Sequence, residues 1–223
     1  MEIIALLLAV FLGIILVLLI KPKASIVSLL LTFSGAYLLS ITVLKLFPEI
    51  YSHDHSEHIG LFVILGLLIQ LILDYFSKGA EHGHIHTLET QLFPWALFIS
   101  LNVHAFMEGL PLSDHQHHEL LWAIVIHKVP ITMVLASLFI HHASQKKYAI
   151  LFLLIFSLMT PLATVLGDKL SFLIAYRNEI NAVVAGTFLH IATIILFESS
   201  KEHRFNIFKF IALLFGILLA VGI

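Results

Sequence analysis

Eight apolar stretches recur along this chain, each close to the length a helix needs to cross a hydrocarbon core of about 30 Å. They cover 3–20, 26–47, 59–76, 94–110, 120–140, 149–166, 180–197 and 205–223. Inside a bilayer no water satisfies the backbone, so a spanning segment must be a helix or part of a closed barrel. Barrel strands alternate apolar and polar residues, and these stretches do not. The sequence therefore predicts an all-α polytopic membrane protein with eight transmembrane helices. The breaks between them are too short for a soluble domain, so 1–223 reads as one transmembrane domain. Composition agrees: 60% of residues are hydrophobic and only 12% charged, about half the charged share of a soluble domain.

The positive residues order the spans. Lys21 and Lys23 follow the first apolar stretch, which is the reverse of a signal peptide. Lys78, Lys146, Lys147, Lys201, Arg204 and Lys209 fall in or beside alternate loops, while the opposite side holds Lys169 and Arg177. By the positive-inside rule both termini face outward, which is consistent with an even number of spans. The expected location is the cell membrane, multi-pass, which in a bacterium is the inner membrane. A net charge of −2 gives no reason to expect nucleic acid as a partner, and the absence of cysteine excludes disulfides and thiolate metal sites. Fifteen histidines exceed the twelve lysines and arginines and the fourteen carboxylates, and histidine is the commonest metal ligand.

Ionisable residues within a span are costly and mark a pathway or a site. His104 and Glu108 are four residues apart in the fourth stretch and so share one helix face. The fifth stretch carries His127 and Lys128 just before Pro130, which removes a backbone hydrogen bond. The fourth span runs outward and the fifth inward. His104 and His127 then both lie about 10 Å below the outer edge of the core at helical rise. Two imidazoles and a carboxylate make a partial shell for Zn²⁺, or for Fe²⁺, Mn²⁺ or Cd²⁺, with room for water or a further ligand. Lys128 is no ligand while charged. It pairs with Glu108 when metal is absent, puts a fixed positive charge where a second ion would sit, or simply pairs with some other acid. His190, inside the seventh span, is a further candidate ligand or proton acceptor, or else an interhelical hydrogen-bonding residue. Glu49 and Lys45 near the outer end of the second span are candidates for lining an entrance.

Three loops are rich in histidine. His53, His55 and His58 lie on the outside, His82, His84 and His86 on the inside, and His115, His117 and His118 again on the outside. Interleaved with acids, such loops can gather a borderline cation weakly, or serve as solvated polar residues. An internal echo links Gly35-Ala36-Tyr37-Leu38-Leu39, ending in Leu46-Phe47-Pro48-Glu49, with Gly186-Thr187-Phe188-Leu189-His190, ending in Leu196-Phe197-Glu198. The two copies lie five spans apart and cross in opposite directions, which is the pattern of an inverted repeat.

With these residues in place, the chain resembles the ZIP (Zrt-/Irt-like) family of divalent-metal transporters. The resemblance rests on 101–110, which reads LNVHAFMEGL, on Ile126-His127-Lys128-Val129-Pro130, on the end of span two and on the start of Ala185-Gly186-Thr187-Phe188-Leu189. It implies a ZIP-like bundle of eight helices, in which spans one, four, five and six move against two, three, seven and eight. It implies that His104, Glu108 and His127 are metal-binding positions, and that the assembly is a homodimer. Many members carry a polar residue where Ala105 stands and an acid where Lys128 stands, which together build a second metal position that this chain lacks. Glu or His often stands where Ile131 stands, so one ligand of the main site is absent as well. A His-Lys pair does occur in one branch of the family.

The expected function is transport of divalent cations, zinc foremost, into the cytoplasm. The protein is not expected to be an enzyme, and the metal is cargo with no resident cofactor. The lipid bilayer and the metal ion are the expected partners. Two other classes compete: a membrane-embedded zinc hydrolase using the same shell to activate water, and a metal sensor, which would need a signalling domain.

Overall fold

The computed structural model describes residues 1–52, 58–80, 94–114, 118–140, 146–198 and 206–222, and among them every regular element is helical. The order is α1 (Glu2–Ile20), α2 (Ala24–Ile41), a π-helical turn (Thr42–Leu46), α3 (Phe47–Tyr51), α4 (Ile59–Ser77), α5 (Trp95–Gly109) and a 3₁₀ turn (Leu110–Asp114). Then come α6 (His118–Ile140), α7 (Lys146–Lys169), the short α8 (Ser171–Ala175), α9 (Arg177–Glu198) and α10 (Ile207–Val221). All eight expected spans fall on helices. Six of them are long and apolar enough to cross a membrane, and α5 and α10 have fifteen residues each. The five-residue 3₁₀ turn prolongs α5, and the more extended rise of that turn brings the combined segment to about 32 Å.

Span two differs from its expected end. The residues do not stop helical structure at Phe47, but continue through the π-turn and α3 to Tyr51. Pro48 is tolerated because it enters the first turn of α3, where its missing N–H is not needed. Glu49 therefore sits on a helix, partly buried, and not in a loop.

Helices in lipid gain little from the hydrophobic effect and associate by close packing of small residues. The main pairings are α1 with α6, α2 with α10, α4 with α9 and α5 with α7. A glycine closes each one. Gly13 lies against Val129 and Thr132, Gly216 against Phe33 and Ala36, Gly186 against Val63, and Gly109 against Thr160. Thr160 Oγ1 donates to the Ala105 carbonyl at 2.6 Å and Thr164 Oγ1 to the Gly109 carbonyl at 3.1 Å, so hydroxyls add to the α5–α7 contact.

Two groups emerge from these contacts. Helices α1, α5, α6 and α7 pack on one another, and so do α2, α4, α9 and α10. The groups meet along α2–α6 and α4–α5. Exchanging α1 with α7, α2 with α9, α4 with α10 and α5 with α6 turns the α1–α6 pairing into α7–α5 and the α2–α10 pairing into α9–α4. The contacts α1–α7 and α2–α9 map onto themselves. An inverted repeat produces this arrangement, and the exchange of α2 with α9 is the one that the Gly35/Gly186 echo requires.

Candidate metal centre

Helix α5 presents His104 and Glu108 one turn apart, because residues at i and i+4 stack on one face. His104 Nε2 lies 3.1 Å from Glu108 Oε1. Helix α6 brings His127 to the same place. One ligand atom from each of His104, Glu108 and His127 lies within 4.8 Å of the others, and among the described residues this is the one such group. All three side chains are buried, at 1%, 2% and 0% exposure. The two histidines that counting residues put at one depth thus come together with Glu108.

Lys128 completes the centre. Adjacent residues on a helix diverge by about 100°, yet the long lysine stem bends its ammonium back to Glu108, with Nζ 2.6 Å from Oε2. Its Nζ also stands 4.9 Å from the centre of the Phe156 ring on α7, a cation–π contact. The two oxygens of Glu108 are therefore divided, one toward His104 and one toward Lys128. The pairing of Lys128 with Glu108 that the sequence offered is present in the structure.

Two proline and glycine features shape the surroundings. Pro130 lies within α6, and its missing N–H leaves the Ile126 carbonyl without its helical donor, next to His127. Gly109 follows Glu108 and permits α5 to touch the α7 backbone at Thr160. A borderline divalent cation suits this donor set of two imidazoles and a carboxylate.

Other sequence candidates lie elsewhere. His190 is partly buried on α9, outside the group of three. Lys45 reaches Glu119 at 3.4 Å, a partly exposed ion pair between the π-helical turn after α2 and the start of α6. His58 and His118 are exposed at the starts of α4 and α6. His53, His55, His82, His84, His86, His115 and His117 lie outside the described residues. Sequence reasoning missed Ser34, whose Oγ lies 3.3 Å from His127 Nδ1. It also missed Thr160 and Thr164, whose hydroxyls bond to the backbone of the α5 segment carrying the site.

Comparison with known proteins agrees with this picture. The family model described as "ZIP Zinc transporter" matches residues 75–223, more than half of the chain and all of the centre. "Protein zntD" of Dictyostelium discoideum is 28% identical over 150 residues, 58% of this chain and 22% of that protein. "Zinc transporter ZIP9-B" of Xenopus laevis is 29% identical over 169 residues, 65% of this chain and 54% of that protein. The chain thus spans about half the length of one of these relatives and about a fifth of the other.

Proposed function

This chain belongs to the ZIP zinc transporter family, and we propose that it carries divalent cations, zinc foremost, across a cell membrane toward the cytoplasm. The observation that carries the proposal is the buried meeting of His104, Glu108 and His127. In this reading the three residues bind the ion as cargo, with water filling the open positions. The ion enters from the outside past Glu49 and the outer histidine loops. Movement of α1, α5, α6 and α7 against α2, α4, α9 and α10 then turns the centre inward, where His190 and the inner histidine loop receive the ion. The lysine and arginine distribution supports termini that face outward. The chain acts as one transmembrane domain, and a homodimer is the assembly we would seek by cross-linking in the membrane.

Lys128 deepens the reading. A charged lysine beside Glu108 allows one ion, not two, and holds the carboxylate while the centre is empty. The hydrolase alternative is not favoured for the same reason. Its general base would be Glu108, and that carboxylate is already shared by His104 and Lys128.

The test is metal flux into proteoliposomes, with Zn²⁺, Cd²⁺, Mn²⁺ and Fe²⁺ compared. Saturable flux lost in the His104→Ala, His127→Ala double variant is the expected result. Equal flux in the native chain and that variant would sink the proposal.

A further inference from the structure

A neutral imidazole has one N–H and one lone pair, and a metal ion takes the lone pair. Which nitrogen offers it is set by the hydrogen bond that the other nitrogen makes. For His127 that partner lies on a different helix group. Its Nδ1 is 3.3 Å from Ser34 Oγ on α2, and both residues are completely buried.

A second, shorter bond favours one direction for this one. Ser34 Oγ is also 3.1 Å from the Leu31 carbonyl oxygen, to which it donates. A carbonyl oxygen only accepts, and a serine hydroxyl has a single proton. With that proton on Leu31, Ser34 Oγ turns a lone pair toward His127. The imidazole must then donate from Nδ1, which leaves the lone pair on Nε2.

We propose that Ser34 is a positioning residue that fixes His127 in the Nδ1–H form, so that Nε2 is the atom offered to the cation. The inference rests on the transport reading for its purpose, and on the two hydrogen bonds for its substance. Ser34 belongs to the α2, α4, α9, α10 group and His127 to the other. The bond therefore crosses the seam, and His127 is held ready for metal only while α2 and α6 keep this register. A ligand set whose orientation depends on the seam binds tightly in one arrangement of the two groups and loosely in another, as a carrier requires.

The experiment uses the full chain in lipid nanodiscs with ¹⁵N-labelled histidine, at a pH where imidazoles are neutral. The His127 signals are assigned by their loss in His127→Ala. The expected result is a proton on Nδ1 in the native chain and a mixture of both tautomers in Ser34→Ala. Zinc alone, titrated into Ser34→Ala, is expected to bind about 10–100-fold more weakly, the usual cost of losing the partner that orients a metal ligand. In flux, the apparent KM for zinc rises while kcat holds. An Nε2–H tautomer in the native chain would overturn the inference, as would an unchanged tautomer and unchanged zinc affinity in Ser34→Ala. A native chain with no flux but a Ser34-dependent tautomer would overturn the transport reading and leave this inference standing. Native flux with a tautomer indifferent to Ser34 would do the reverse.

Discussion

Replacing Lys128 by methionine separates two roles that the ammonium plays at once. Methionine keeps the unbranched length beside Phe156 and removes only the charge. Lys128 Nζ holds Glu108 Oε2 at 2.6 Å, with 1% and 2% of the side chains exposed. An ion that takes this oxygen must displace the ammonium. A hydrogen bond between charged groups contributes about 1.5–3 kcal/mol. At 1.4 kcal/mol per factor of ten, Lys128→Met is expected to tighten zinc binding by about 10–100-fold. The same change leaves a buried carboxylate short of a partner, which costs the metal-free protein about 3–5 kcal/mol of stability. Zinc calorimetry in detergent reads the first effect, and thermal unfolding with and without zinc reads the second. The expected pattern is a lower Tm without metal, a larger rise on adding zinc, and slower release that reduces flux at saturation. A folded Lys128→Met chain that binds zinc no more tightly than the native chain would refute the competition between ammonium and ion.

Three further outcomes follow from the packing. Gly186→Ala puts a Cβ inside contact distance of the Val63 carbonyl oxygen; backbone on both sides prevents relief, so thermal unfolding should show a loss toward the upper end of about 1–3 kcal/mol, and an unchanged Tm would contradict the close α4–α9 crossing. Thr160→Val keeps the shape but removes the 2.6 Å bond to the Ala105 carbonyl, and should cost about 0.6–1.7 kcal/mol in the same measurement. Lys45 and Glu119 are 45% and 30% exposed, so a double-mutant cycle to alanine should give a coupling of about 0.2–1 kcal/mol that fades with added salt; coupling that persists at high salt would mean the pair is shielded from water.

The spans were legible because the bilayer admits so few structures. A run of apolar residues in lipid has to be a helix, whatever its neighbours do, and each expected stretch lies on one. The centre was legible for a related reason: His104, Glu108 and His127 are hard to place in an apolar span unless they meet. Counting residues put both histidines at one depth, and their proximity followed. Where the reading stopped short, the cause was distance in sequence or local tolerance. Nothing in the chain links Ser34 to a histidine ninety-three positions away; buried hydroxyls commonly bond to their own helix, as Thr42 does to Leu38 and Ser34 does to Leu31. The prolongation of span two to Tyr51 was hidden by Pro48, which reads as a stop unless a new first turn accommodates it. The pairing of helices into two groups came from the family resemblance, since glycines such as Gly13 and Gly109 mark close approach without naming the partner.

The Glu108–Lys128 pair also has an electrical consequence. With Glu108 and Lys128 counted as one negative and one positive charge and both imidazoles as neutral, the metal-free centre of the proposed carrier would cross the membrane field as an uncharged object. Loaded with a divalent ion it carries two positive charges. Moving one charge through 100 mV is worth about 2.3 kcal/mol, so a complete passage of the loaded centre is driven by about 4.6 kcal/mol when the inside is negative. The return of the empty centre is electrically silent. With a neutral residue at position 128 the empty form would carry one negative charge and the loaded form one positive. The membrane potential would then act on both halves of the cycle. On the proposed transport reading, an ammonium next to the carboxylate would confine the voltage dependence to the step that moves the cargo.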